Sequence, residues 1–384
     1  MNIPSTVASL SDAVPRNDLP PVLFVTHSAA CSGAELFLLR VVTRVSRIAP
    51  FVLLGEHGPL ESLLSEAGIP HAVAGSEHPR STTRLPLLRA TRDLIAELRP
   101  AAVYTHSAKA HILAGAAGRL SGVPVISHAH DLLRGGSLSR INAAILQAAF
   151  SMIPTAIIAN SRTTKQSLIS SARLKTRNVI GCPVSIEQPC STRAATDAPV
   201  FGLAGRLASW KGQRLAIEAF AAARSTGLHE RTKLVLFGAA LFGADTAYEQ
   251  ELHELVSELG LTPHVEFAGH QSDMVAALER CDIMLHTSIT PEPFGQVVIE
   301  AMAAGRPVIA ADQGGPSEII TPGFDGILFE SGSSTSLASA MLTLAEQPET
   351  RLNLARNARQ SVARYDAMGI VAQLETALLQ TIGR

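Results

Sequence analysis

The chain has 384 residues, 46% of them apolar, with 32 Lys and Arg set against 33 Asp and Glu. That length and apolar content exceed what one ordinary hydrophobic core takes up, so two domains are expected. A net charge close to zero offers no general field for a polyanion, which argues against a nucleic-acid partner. Cys31, Cys182, Cys190 and Cys281 show neither CxxC spacing nor a His-rich neighbourhood. They suggest neither a zinc site nor a disulfide framework, and read as reduced thiols of a cytoplasmic protein.

Residues 1–19 lack the basic start and continuous apolar run of a secretory signal and read as a disordered leader. Short β-rich runs then recur at Val22–Thr26, Phe51–Leu54, Ala102–Thr105, Val125–Ser127 and Ala156–Ala159. Between them, Ala34–Val45, Leu87–Leu98 and Ala108–Leu120 carry apolar residues at helical spacing, two of them running into Pro100 and Gly122. This alternation predicts a parallel sheet with helices on both faces, one α/β domain over residues 20–185. The longest apolar stretch, Ile141–Ala159, is interrupted by Asn142, Gln147 and Pro154. It reads as a buried helix followed by a strand rather than a membrane span, and leaves peripheral contact with the inner face of a membrane open.

Residues 186–199 turn to Glu, Gln, Pro, Ser, Thr and Ala without apolar periodicity, the composition of a linker. The alternation restarts with Val200–Ala204, Lys233–Phe237, Val265–Ala268, Asp282–His286, Pro307–Ala310 and Gly326–Phe329, a second Rossmann-like domain over residues 200–350. The remaining amphipathic stretch, residues 351–384, is longer than one sheet needs and has a break near Tyr365–Gly369. It is expected to cross back onto the first domain.

Two nucleotide-binding readings fail on their motifs. No strand leads into a full G-x-G-x-x-G turn, which a dinucleotide pyrophosphate needs for close backbone approach. Gly238–Gly243 has Walker-like spacing, but Ala244 and Asp245 stand where Lys and Ser or Thr would hold phosphate and magnesium.

The most informative segment runs Pro291-Glu292-Pro293-Phe294-Gly295-Gln296-Val297-Val298-Ile299-Glu300 and continues to the strand at Pro307. The prolines hold the loop extended, and the apolar run after Gly295 starts a helix whose first amides lack internal partners and can receive a phosphate. An isolated Glu at a helix start is as often a solvated or capping acid. Two carboxylates, Glu292 before the helix and Glu300 within it, suit paired sugar hydroxyls better. A second constellation, Gly202-Leu203-Ala204-Gly205-Arg206-Leu207-Ala208-Ser209-Trp210-Lys211-Gly212, sets Arg206 and Lys211 just beyond a strand end. Open α/β sheets bind ligands there.

Glu292 and Glu300, with this spacing and the Gly205-Arg206-Leu207 and Lys211-Gly212 segments, resemble glycosyltransferase family 4. Its members are retaining enzymes of the GT-B fold, an α/β architecture of two Rossmann-like domains with parallel sheets facing across an interdomain cleft. The resemblance implies that Glu292 binds hydroxyls of a donor sugar and Glu300 the ribose of its nucleotide. Gly205 and the backbone of Phe294, Gly295, Gln296 and Val297 would meet the donor sugar and diphosphate. Arg206 and Lys211 would offset the charge that develops on the leaving diphosphate. In the first domain, Ser32-Gly33-Ala34-Glu35 resembles the family's donor-binding Gly turn, with Ser32 in place of the first of two glycines. Ser127-His128-Ala129-His130-Asp131 resembles its His-Asp site, with His130 near the reacting sugar. His128 and His106, at neighbouring strand ends, would face the acceptor.

The function expected is retaining transfer of a hexosyl or N-acetylhexosaminyl group from a nucleotide sugar, UDP-linked, to an acceptor hydroxyl of a glycan, glycolipid or small molecule. No Asp-x-Asp motif occurs, and the cationic pair can stand in for a metal at the diphosphate. No metal or other cofactor is expected. A nucleotide-sugar epimerase shares this architecture but needs no acceptor and lacks the glutamate spacing. A catalytically idle sugar-nucleotide-binding subunit would lack one of the two constellations.

Overall fold

The structure is a computed structural model; it describes residues 18–30, 33–74, 84–135, 139–186, 196–240, 243–271 and 273–383. The leader expected at residues 1–19 and the linker expected at 186–199 lie largely outside these, as do Cys31, Ser32 and Cys190. The chain divides into two compact units, with divisions between Pro183 and Val184 and between Asp366 and Ala367.

The first unit is built on seven parallel strands: β1 (Pro21–Thr26), β2 (Ala49–Leu54), β3 (His71–Val73), β4 (Ala102–Thr105), β5 (Val125–Ala129), β6 (Ala156–Ala159) and β7 (Thr176–Val179). They lie in the order β3-β2-β1-β4-β5-β6-β7. Their continuous apolar runs follow from burial on both faces. Val22 to Val25 are fully enclosed, with Phe51, Leu53 and Val103 packed against Leu87, Leu94 and Ala114 of the crossover helices. A second cluster, around Ile157, gathers Leu146, Phe150, Leu168 and Ala172.

The second unit has six parallel strands: β8 (Val200–Ala204), β9 (Lys233–Phe237), β10 (Val265–Gly269), β11 (Ile283–His286), β12 (Val308–Ala311) and β13 (Ile327–Phe329). Their order is β10-β9-β8-β11-β12-β13. Its core joins Phe201, Leu203, Leu234, Leu236, Ile283 and Leu285 of the sheet to Phe220 and Met341 of the helices.

Residues 348–366 stay with the second unit, and the helix Ala367–Thr381 joins the first. Hydrogen bonds explain both placements. The Arg351 guanidinium donates to the carbonyls of Leu344 and Thr196 at 2.7 Å each, and Val184 N donates to Tyr365 O at 2.9 Å. In the terminal helix the buried Glu375 carboxylate accepts from the backbone N of Ser46 and of Arg47, both at 2.6 Å. No helix among the described residues is long and apolar enough to cross a membrane. The helix Arg140–Met152 and strand β6 take up the apolar stretch read above, but the helix is not buried all round: Ile141, Ile145 and Met152 are exposed.

Candidate active site

Strand order reverses between β8 and β11 in the second unit and between β1 and β4 in the first. The carboxyl ends of open parallel sheets bind ligands at such a reversal. In the second unit that point carries Gly205 to Gly212 after β8, and His286 at the end of β11 with Thr287 to Gly295 after it.

These two loops are stitched together. Thr287 Oγ1 donates to the carbonyls of Lys211 and Gly212 at 3.0 Å each, and Ile289 N donates to Trp210 O at 2.9 Å. Gly212 has φ 74, and a Cβ built on it would lie 2.0 Å from Thr287 O. No side chain fits there, so only glycine lets the two loops meet. Lys211 ends the 3-10 turn Ser209–Lys211, with its Nζ 4.4 Å over the Trp210 ring.

The outcome of that stitching is one dense polar knot around Glu292. Lys211 Nζ donates to Glu292 Oε1 and forms an ion pair with it. Ser288 Oγ donates to the same oxygen at 2.5 Å, and His286 Nε2 lies 3.2 Å from Oε2. That last approach lacks hydrogen-bond alignment, and both ring nitrogens of His286 are buried without a hydrogen-bond partner. Burial alone pushes the Glu292 carboxyl upward, but His286 and Lys211 beside it outweigh that and hold it well below the usual carboxylate range. Glu292 is thus an acceptor-only group fixed from three sides.

Gly295, at φ 99, turns the chain into the helix Gln296–Ala303, whose N-terminus has no side-chain cap. Phe294 is buried edge-on to Tyr365, with centroids 5.4 Å apart. Gly315 N donates to Glu292 O at 2.8 Å, which anchors the loop from behind. Val297 follows in the first turn. Within the helix, Gln296 Nε2 donates to Glu300 Oε1 at 3.0 Å.

The structure brings Lys211 and Glu292 into contact, but it gives Arg206 a different partner. Arg206 Nε lies 3.6 Å from Asp245 Oδ2, a charge contact rather than a hydrogen bond. Asp245, which rules out a P-loop in the sequence, here sets a carboxylate beside the Arg206 guanidinium. Gly205, at φ 153, bonds through its N to Phe237 O at 2.9 Å.

In the first unit, Gly33 is exposed and opens the helix Gly33–Val42. His106, His128 and His130 converge at the ends of β4 and β5 around the Phe37 ring, whose centroid is 4.9 to 5.1 Å from each of theirs. His106 Nε2 bonds Ala34 O at 2.6 Å, and its Nδ1 faces His130 Nε2 at 3.1 Å. The Ala34 carbonyl can only accept, so His106 is protonated at Nε2 and accepts at Nδ1. His128 is fully enclosed, with Nδ1 2.5 Å from Tyr104 OH. Burial drives the pKa of His106 down to about 4 and those of His128 and His130 well below their ordinary value, so all three are neutral at neutral pH. Among the described residues this is the group with metal-ligand spacing, its donor nitrogens within 4.8 Å of one another. Hydrogen bonds already account for both nitrogens of His106.

The sequence does not single out His286 and Ser288, and it names Asp245 and Trp210 without a role in this site. His286 carried a usable signal, since it ends a recognisable strand just before the Glu292 loop. Ser288 and Asp245 carried none, because their roles depend on loop closure and on where the helix Gly243–Glu258 comes to rest.

Residues 21–188 match the family Glycosyltransferase Family 4, and residues 185–361 match Glycosyl transferases group 1. The chain belongs to glycosyltransferase family 4. Among solved structures it is similar to Anabaena Alr3699/HepE, seen with UDP, with UDP and glucose, and with UDP-glucose. The UDP-glucose complex is 29% identical with a TM-score of 0.83, over 94% of this chain and 100% of that one. The two parallel-sheet units therefore make up the GT-B fold of the family. Over 176 residues, 44% of this chain and 39% of the relative, the protein is 34% identical to D-inositol 3-phosphate glycosyltransferase of Stackebrandtia nassauensis. Over 166 residues, 43% and 45%, it is 31% identical to lipopolysaccharide core biosynthesis glycosyltransferase LpsE of Rhizobium meliloti. The chain spans less than half the length of these curated relatives.

Proposed function

We propose that this family 4 protein transfers a hexosyl or N-acetylhexosaminyl group from a UDP-sugar to an acceptor hydroxyl of a glycan, glycolipid or small molecule, with retention of anomeric configuration. The observation that carries this reading is the Glu292 knot. An ionised, acceptor-only carboxylate at the sheet's reversal point, fixed by Lys211, Ser288 and His286, is built to take hydrogen bonds from sugar hydroxyls. The UDP and UDP-glucose complexes of the Anabaena relative support the choice of nucleotide.

In this account the uncapped helix N-terminus at Gln296 and Val297 receives the diphosphate, with Phe294, Gly295 and Gly205 lining the donor, and Glu300 accepts from the ribose. Lys211 serves two anions: it holds Glu292 before the donor arrives and steadies the leaving diphosphate as its bond to the sugar breaks. Arg206, beside Asp245, supplies the second cation, and together the two do the work of a metal at the diphosphate. Retention follows if the acceptor attacks on the face from which the diphosphate departs, with a diphosphate oxygen taking the acceptor proton. In the first unit we assign Gly33 to the donor through its backbone, and His130 to the reacting sugar. His106 and His128, expected from the sequence to face the acceptor, are both buried, and His106 is bonded at both ring nitrogens. We assign them to holding His130 in place, His106 through its contact with His130 and His128 through Tyr104.

The test is the anomeric configuration of the product. Proton NMR of a reaction run with an α-linked UDP-sugar is expected to show an α-linked product. A β-linked product, or a trapped glycosyl-enzyme adduct, would overturn the mechanism.

A further inference from the structure

Charge is distributed unevenly along the chain. Between residues 98 and 186 there are ten Lys or Arg and one acid, Asp131, although the whole chain has a formal net charge of -1. The same stretch holds six of the ten large hydrophobic side chains exposed among the described residues. Single exposed leucines are ordinary on a protein surface; a cluster of them in a basic region is not.

The helix Arg140–Met152 shows how the cluster is made. Leu146, Ala149 and Phe150 bury one side of it in the core. Ile141, Ile145, Ala148 and Met152 recur at steps of four, three and four, which sets them on one stripe of a helix. All four are exposed, Ile141 by 74% and Met152 by 64%. An outward stripe of a water-facing helix should be polar; here its only charged residue is Arg140 at the first position.

Neighbouring elements extend the face. Ser151 Oγ lies 2.8 Å from Ser171 Oγ, and Lys175 Nζ donates to the carbonyls of Ser151 and Pro154 at 2.6 and 3.1 Å. These bonds fasten the helix Ser170–Lys175, with Leu174 exposed by 88%, to the end of Arg140–Met152. Burial and then the nearby charge of Arg119 lower the Lys175 pKa, which places Arg119 and its exposed neighbour Leu120 in the same neighbourhood.

We propose that this face of the first unit docks on an anionic lipid surface, with Ile141, Ile145, Met152 and Leu174 entering the interfacial layer and the basic side chains around them meeting lipid phosphates. Apolar side chains flanked by Lys and Arg, on a helix that lies along a surface, are the composition that interfacial attachment requires. A polyanion such as RNA would use the charge but leave the exposed isoleucines without a role. The docking goes beyond the transfer reaction and does not depend on it.

The experiment is vesicle co-sedimentation of the full chain, without any sugar nucleotide, on phosphatidylglycerol/phosphatidylcholine and on pure phosphatidylcholine vesicles. Binding is expected to the anionic vesicles, weakening as salt rises, and at least about tenfold weaker to the neutral ones. The variant Ile141→Asp/Ile145→Asp is expected to lose about tenfold or more in vesicle affinity while keeping the wild-type melting temperature, since both side chains are exposed. A second variant, Arg140→Glu/Arg173→Glu, should lose anionic preference. Equal affinity for both vesicle types, no vesicle binding, or undiminished binding by the isoleucine variant would overturn the proposal, as would retention by heparin without vesicle binding.

Discussion

Lys211 and Glu292 lie 81 positions apart in the chain and form an ion pair at the point where the second unit's strand order reverses. Nearly all of the Glu292 side chain is withdrawn from water, so the pair cannot be treated as a surface salt bridge. Removing one partner of a buried pair leaves the other charge uncompensated, which costs more than the pair itself contributes.

Lys211→Ala is therefore expected to destabilise the protein by about 3 kcal/mol in the absence of donor, read from urea denaturation. The companion Glu292→Gln should cost less, since the charge it leaves unpaired, Lys211, is the more exposed partner, 20% against 10%, and can be solvated. Both should lower kcat/KM by about 100-fold or more if Lys211 also serves the leaving diphosphate. A Lys211→Ala variant as stable as wild type would show that water or His286 already balances Glu292.

Acid should weaken the protein from two directions. His106, with a folded pKa of about 4, and the buried His128 and His130 must take up protons on unfolding below about pH 6.5. Stability from these groups is complete above that pH and is lost as pH falls, by about 1.4 kcal/mol per pH unit for each. Glu292 is depressed, so its contribution is complete above the unfolded carboxylate value near 4.3 and disappears only as pH falls through the lower folded value. Denaturation at pH 7.5, 6.5 and 5.5 should show a drop whose larger part falls in the last interval. A flat profile would mean that the histidine cluster is already charged or hydrated.

Glu375→Ala should strand two backbone amides, those of Ser46 and Arg47, that now share one carboxylate oxygen. The expected loss is about 2 to 3 kcal/mol, visible as a lower denaturation midpoint. Glu375→Gln, whose side-chain oxygen can still accept, should restore a large part of it.

The cationic pair proposed at the diphosphate carries a further expectation. Transferase activity should survive extensive treatment with EDTA, and Arg206→Ala or Lys211→Ala should not be rescued by added magnesium or manganese. Loss of activity with EDTA, regained with a divalent ion, would contradict that assignment.

How much of this was legible in the sequence depends on the range of the interaction involved. Strands such as Val22–Thr26 and Ala156–Ala159 announce themselves because burial on both faces makes them continuously apolar. β3 and β7 do not, being short, at sheet edges and mixed in polarity, as His71 and Arg177 show. Glu292, Glu300, Arg206 and Lys211 were visible as motifs. The pairing of Lys211 with Glu292, and of Arg206 with Asp245, was not, because each depends on loops and helices from distant parts of the chain meeting at one sheet end. The helix Arg140–Met152 reads as buried because its apolar content is high; only the packing of Leu146 and Phe150 reveals which half of that content faces inward.

The central claim is that the second unit is a donor site for a UDP-sugar. Its most direct test is a thermal-shift panel of UDP-, GDP-, ADP- and TDP-sugars on the wild-type protein, Glu300→Ala and Arg206→Ala. A rise in melting temperature is expected with UDP-sugars, absent in both variants. No shift with any nucleotide sugar, or a shift that both variants retain, would contradict it.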